Sequence, residues 1–490
     1  MKRCEQMLYD LILVGAGPSG IFAAYEAVKL KPDAKILILE RGNDIYQRKC
    51  PILQGKIKLC PRAKGDAMPA GCLPACSITA GFGGAGAYSD GKFNITSEYG
   101  GWLGEYMPAS KLLELIAYVD SVNLSHGAPE TITDPDTEAV REIERKVYGA
   151  GMKLLRAKVR HLGTEINLQV MKSIFDELKE KVEMRFNVEV IDINTEGEDE
   201  HKKITGVSIV PSAKGAAHSY SDLENLEAKN VMIAPGRDGS AWLAEILSRR
   251  GIPVTCNQVD IGVRAEVSDV IMHEINRHLY EAKLIFNSST GTIVRTFCAN
   301  PSGHVVVENH SGVMAANGHA YFDPQFGSDN TNFALLVSHK FTKPFNKPNE
   351  YAREICRRAN DLSDGGVIIQ RFGDLTRGRR STKKRIQEGF LEPTLKEAEP
   401  GDLGLVLPYN TLKSIVEMTH ALDKVCPGFA SEHTLFYGVE AKFYSARPEL
   451  NKNLQTKISG LYCAGDGAGV TRGLAQAGAA GIHVARAIFS

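Results

Sequence analysis

The 490-residue sequence predicts an α/β domain combined with an α+β domain, and three observations carry that expectation. Tyr9–Val14 (YDLILV) and Lys35–Leu39 (KILIL) are nearly continuous apolar runs flanking a glycine turn and the helix-prone Ile21–Leu30. Buried parallel strands joined by a crossover helix read this way, because both faces of such a sheet are covered. Gly460–Ala464 and the glycine-rich residues after it repeat the strand–turn–helix pattern, while residues 251 to 440 mix the two periods. The parallel-sheet domain is therefore expected to be discontinuous. Residues 1–250 form its first part, with a helical excursion over about 100–182; 251–440 are an inserted substrate or cap domain; 441–490 complete the first domain.

Between the two ends the elements follow in order. Residues 50–100 carry four cysteines and a glycine cluster with little periodicity. Ala109 to Val182 is helix-rich, with apolar residues of Ile166–Val182 at helical spacing. Met184–Ile193 and Ile204–Val210 alternate as a β-meander around the polar run Asn194–Lys203, and Lys229–Ala234 is a further strand.

Composition removes several function classes. Lys+Arg and Asp+Glu are both 58, so the net charge is zero and a polyanion partner such as nucleic acid is not expected. No run approaches the roughly 18 apolar residues of a membrane helix, and no apolar signal-peptide core follows Met1-Lys2-Arg3. Cytoplasm is the expected compartment, and the ten cysteines are read as thiols, metal ligands or redox groups before disulfides. Glycine, at 47 residues, is the one enriched type, and its placement is informative.

Gly15-x-Gly17-x-x-Gly20 follows a strand, opens a helix and has Glu40 at the end of the next strand. That full context is a Rossmann-type dinucleotide fingerprint. The glycines let a pyrophosphate approach backbone amides at a helix N-terminus, and the acid accepts from a ribose diol. Ser19 and Arg41 join Gly15, Gly17, Gly20 and Glu40 as candidate cofactor contacts.

Gly460–Gly469 (GLYCAGDGAG) resembles the second FAD motif of two-dinucleotide-binding-domain flavoproteins. The resemblance implies Gly465 and Asp466 at the ribityl chain, and Gly473, Ala475 and Gln476 beside the flavin pyrimidine edge. It also implies a backbone contact to adenine at Val188 and a strand-ending turn at Gly236, where Pro235 stands in place of the usual Thr. Gly81–Gly91 contains GxGxxG without a preceding strand, and is read as a loop against the flavin ring through Gly83 and Gly84. With GFGGAGAYSDGKFN (81–94), DIGVRAE (260–266), TFCANPSGHVV (296–306) and EAKFYSARPE (440–449), the chain resembles the uncharacterized FAD-dependent dehydrogenases across most of its length. That implies non-covalent FAD and hydride exchange between flavin N5 and a small organic substrate, by dehydrogenation or double-bond reduction. No second fingerprint for NAD(P)H is present, so electrons come from a transiently docked nicotinamide or a redox protein.

Several residues keep alternatives open. Cys50, Cys60, Cys72 and Cys76 could hold an iron–sulfur cluster, Cys72 and Cys76 could form a redox disulfide, or all could be inert thiols. Cys298, Lys442 and Tyr444 are candidate substrate-side groups: a thiol, a cation or acid, and a proton donor. Cys298 also reads as a packed thiol, and Lys442 as a surface or ion-pair lysine. Arg264 reads as a carboxylate clamp or a salt-bridged structural arginine, and the basic run Arg377–Arg385 as a solvated face or the landing site of an acidic redox partner. An electron-transfer flavoprotein, a flavin monooxygenase and a non-catalytic scaffold remain the alternatives to a dehydrogenase.

Overall fold

In a computed structural model of the chain, residues 7–51, 54, 56, 72–89, 91–198, 201–212, 222–279, 281–310, 312–320 and 324–490 are described. Two compact units result. The first comprises Met1–Ile132, Lys158–Cys256 and Ser445–Ser490; the second comprises Thr133–Ala157 and Asn257–Tyr444. The segment 133–157, inside the stretch read as a helical excursion, thus supplies a helix and an edge strand to the second unit.

The first unit is built on a five-stranded sheet in the order Leu461–Cys463, Val231–Ile233, Leu11–Val14, Ile36–Glu40, Glu183–Phe186. Every pairing in it is parallel. The first four of these strands are buried along their whole length, which is why they read as unbroken apolar runs. The sheet is Rossmann-like; the helix Pro18–Leu30 packs on it, and Leu474–Phe489 packs on that helix. A second sheet pairs Leu8–Tyr9, Glu224–Ala228, Lys203–Pro211 and Val188–Glu196. The expected Met184–Ile193 strand is therefore two strands in two sheets. Asn187, at φ 58°, makes the break, a left-handed conformation that Asn tolerates better than β-branched residues.

The second unit centres on an eight-stranded sheet, antiparallel except where Ile368–Arg371 meets Glu399–Pro400. Its central strand, Val259–Ser268, alternates strictly. Val259, Ile261, Val263, Ala265 and Val267 join an apolar core with the helices Glu138–Gly149, Pro348–Leu362 and Tyr409–Asp423. Asp260, Arg264 and Glu266 occupy the opposite face and are also buried. The hairpin His304–His310/Val313–His319 lies on that polar face: a Cβ on Gly318 would stand 2.2 Å from the Arg264 guanidinium.

Candidate functional site

The five parallel strands of the first unit all end among residues that the sequence marks as cofactor contacts. Leu11–Val14 runs into Gly15, Ile36–Glu40 ends on Glu40, and Glu183–Phe186 stops one residue before Asn187-Val188. Val231–Ile233 leads to Gly236, and Leu461–Cys463 to Gly465 and Asp466. Ligands of open α/β sheets sit beyond the carboxyl ends of the strands, where helix N-termini also point.

At the first turn, Gly15 has φ 103°, and a Cβ there would fall 2.3 Å from the Ala234 carbonyl oxygen. A Cβ on Gly20 would fall 2.0 Å from the Gly15 oxygen, so helix and strand can meet this closely only through glycine. Gly17 differs: no atom of the described residues lies within 4 Å of its missing Cβ, and it caps Pro18–Leu30 without a side-chain hydrogen bond. The amides of the first helical turn have no partner within the helix. Ser19 does not use its hydroxyl here. Its Oγ donates to the Ala477 carbonyl at 2.8 Å and ties the first helix to the last, leaving the backbone amide for a ligand.

Glu40 is buried and held by the backbone. Its Oε2 accepts from Ala16 N at 2.9 Å, and Oε1 from Gly42 N at 2.8 Å and Gly81 N at 2.9 Å. A carboxylate has about four acceptor sites, so Oε2 retains capacity for a hydroxyl. Arg41 is on the surface, 3.9 Å from Asp238.

The third of those amides belongs to the loop carrying Gly83 and Gly84, which rests on the first glycine turn. Gly83 N donates to the Ala16 carbonyl at 2.7 Å, and a Cβ on Gly84 would stand 3.1 Å from Gly17 Cα. Arg48, which sequence reasoning missed, fastens the loop. It is 3% exposed and donates to Ser77 O at 2.9 Å, Phe82 O at 2.6 Å and Ile78 O at 3.0 Å. Its guanidinium lies 4.9 Å from the centre of the Tyr88 ring, and burial pushes its pKa down to about 10. A single arginine in an aperiodic loop leaves no signal in the sequence.

At the C-terminal turn, Asp466 is half-buried and its Oδ1 accepts from Thr471 Oγ1 at 2.7 Å. Gly473 caps Leu474–Phe489, and Ala475 and Gln476 are buried in its first turn. Gln476 Nε2 donates to the Tyr99 carbonyl at 2.9 Å, whereas its Oε1 is buried with no partner among the described residues. The segment around Tyr99 was not foreseen at this site. Trp102 N donates to Val470 O at 2.8 Å and Arg472 N to Gly100 O at 2.7 Å, an antiparallel bridge centred on Gly101 and Thr471.

The structure brings the candidate cofactor residues to one end of the sheet. Among the described residues, no group of three or more His, Cys, Asp or Glu side chains is placed to hold a metal. Cys50, Cys72 and Cys76 are in no disulfide among the described residues, and Cys60 lies outside them.

In the second unit the candidate groups are tied to neighbours. Lys442 Nζ is 3.1 Å from Glu440 Oε1, and Tyr444 donates its hydroxyl to buried Asp260. Arg264 is fully buried and bonds Glu440 Oε2 at 3.0 Å, Asn332 Oδ1 at 2.7 Å and Cys298 O at 2.6 Å, the salt-bridged arrangement. Cys298 is exposed at φ 46°, in the stretch where the register of its strand shifts. The basic run is largely neutralised within its own unit, by Arg377–Glu432 at 3.0 Å and Arg379–Asp374 at 2.7 Å among others.

Comparison with known proteins adds the following. A family model described as "FAD-dependent protein, C-terminal domain-like" matches residues 260–443. An uncharacterized protein of Clostridium beijerinckii (strain ATCC 51743 / NCIMB 8052) is 26% identical over 513 residues, spanning 99% of this chain and 81% of its own. Among solved structures, a formate oxidase is 12% identical over 99% of this chain and 98% of that one, with a TM-score of 0.47. The quinol fumarate reductase FrdA of E. coli is 14% identical over 99% and 70%, at 0.40. Thermovibrio ammonificans THI4 is 15% identical over 50% of this chain, which covers less than two thirds of it (64%), at 0.26. Likenesses at these scores carry no argument about the reaction. No described helix is long and apolar enough to cross a membrane.

Proposed function

We propose that the chain is an FAD-dependent oxidoreductase, a dehydrogenase or double-bond reductase acting on a small organic molecule. The observation that carries the reading is the convergence of Gly15–Gly20, Glu40, Gly236 and Gly465–Gln476 at the carboxyl ends of one parallel sheet. The description of the family matched by residues 260–443 supports the same cofactor.

The residues present fit that cofactor. The space at Gly17 admits a pyrophosphate to the amides of the first helix, and Glu40 Oε2 has capacity for a ribose hydroxyl. The buried, partnerless Oε1 of Gln476 is an acceptor that the imide N–H of a flavin ring would satisfy. Asp466, oriented by Thr471, is assigned to the ribityl hydroxyls, and Val188 to adenine through its backbone. When bound, FAD supplies hydride exchange at its N5 position. The first-turn amides at Gly473 and Ala475 would favour negative charge at the pyrimidine edge. Lys442, held by Glu440, and Tyr444, held by Asp260, are the proposed proton-holding groups of the second unit.

Purification under anaerobic conditions, incubation with FAD, gel filtration and a visible spectrum test the reading. The expected result is near-stoichiometric flavin that denaturation releases intact, and that bleaches with one member of a reductant and metabolite panel. A well-folded chain that retains no flavin would overturn it.

A further inference from the structure

Arg48 is a buried cation held by neutral groups. The residue is 3% exposed, and its guanidinium donates to three neutral carbonyls, those of Ser77, Ile78 and Phe82. No ion pair to a carboxylate is present among the described residues. Glu40 is near enough to interact electrostatically, but its two oxygens accept from three backbone amides and not from Arg48. Burying a guanidinium without a countercharge is unfavourable, so an anion that arrives beside it is favoured. The guanidinium lies beside the loop that rests on the first glycine turn. Arg48 Nη1 lies 3.6 Å from the position of a Cβ on Gly83, whose amide is bonded to Ala16 inside the first glycine turn. A guanidinium has five N–H donors, and the three carbonyl bonds leave two.

We propose that Arg48 is a positioning residue for the dinucleotide, holding the Ser77–Phe82 segment against the first glycine turn and serving as the buried countercharge of the pyrophosphate. The inference rests on the cofactor reading above and assigns its phosphate electrostatics to a residue outside the fingerprint. Glu40 and Arg48 divide the work on one loop: the carboxylate takes the Gly81 amide, and the guanidinium takes the carbonyls on either side. Charge is the part that a purely structural clamp would not need.

Equilibrium binding of FAD, ADP and adenosine to the full chain separates the two roles. In R48Q, ADP and FAD should bind about tenfold or more weakly, while adenosine, which has no phosphate, should bind as to wild type. R48K keeps the charge and should stay within about threefold of wild type for ADP. Equal losses for ADP and adenosine in R48Q would reduce Arg48 to a structural clamp and overturn the proposal. Should R48Q not fold, R48K decides alone: a loss of about tenfold or more for ADP overturns the countercharge. Failure of the cofactor reading looks different, since wild type itself would then bind neither FAD nor ADP.

Discussion

Gln476 gives its amide N–H to the Tyr99 carbonyl and keeps its own carbonyl oxygen buried, with no donor among the described residues. A buried unsatisfied acceptor costs about 1–3 kcal/mol, and a ligand donor that reaches it recovers that amount. Gln476→Leu should therefore weaken FAD binding by about tenfold while leaving ADP, which lacks the flavin ring, unaffected. Parallel titrations of the two ligands check this, and equal losses for both would move Gln476 away from the ring.

Gly15 and Gly17 should separate folding from binding. Gly15→Ala places a methyl 2.3 Å from the Ala234 oxygen at φ 103°, and thermal denaturation should show a loss of about 1–3 kcal/mol or more. Gly17→Ala meets no protein atom, so stability should change by about 1 kcal/mol or less, the cost of alanine at a helix cap. FAD binding should nevertheless fall, because the methyl enters the space reserved for phosphate. Retained affinity would show that the turn is only a turn.

Glu40→Gln should be costly before any ligand is added. Three backbone amides converge on the carboxylate, and a side-chain amide presents a donor where one or more of them expects an acceptor. Chemical denaturation should report a loss of about 1–3 kcal/mol.

The second unit has its own pH signature. Glu266 is fully buried, and desolvation raises its pKa above the ordinary value, outweighing hydrogen bonds from Thr394, Tyr437 and Asn330. A raised folded-state pKa means that protonation favours the fold. The contribution is complete below the unfolded value and is lost as pH rises through the folded one. Melting temperature should thus fall with rising pH over that interval, and Glu266→Gln should flatten the slope. An unchanged slope would remove Glu266 as its source.

Thiol accessibility gives a direct check on the cysteines. Cys256 and Cys298 are exposed, whereas burial pushes the thiols of Cys356, Cys426 and Cys463 up to about 12. Mass spectrometry after brief alkylation of the native chain should find the first two modified, and the other three only after unfolding.

What was legible in the sequence is what local physics writes there. The runs YDLILV and KILIL announce strands buried on both faces, and Gly15, Gly20 and Gly465 sit where backbone closes on backbone or φ is positive. Contacts between distant segments were not legible. Nothing periodic marks Arg48 for the carbonyls of Ser77–Phe82, or Tyr99–Trp102 for pairing with Val470–Arg472. Met152–Leu155 was hidden by its helical surroundings, and becomes a strand only because Lys283–Asn287 offers it an edge. Arg264 was ambiguous until Glu440 arrived from the strand beside it, 176 residues further along the chain.

Ser19 and Ala477 are hydrogen-bonded across 458 residues of sequence. The glycine turn stays incomplete until Leu461–Cys463 and Leu474–Phe489 have joined it. Closing so long a loop is slow beside forming a local helix, so the pairing of these two segments should set the folding rate of the first unit.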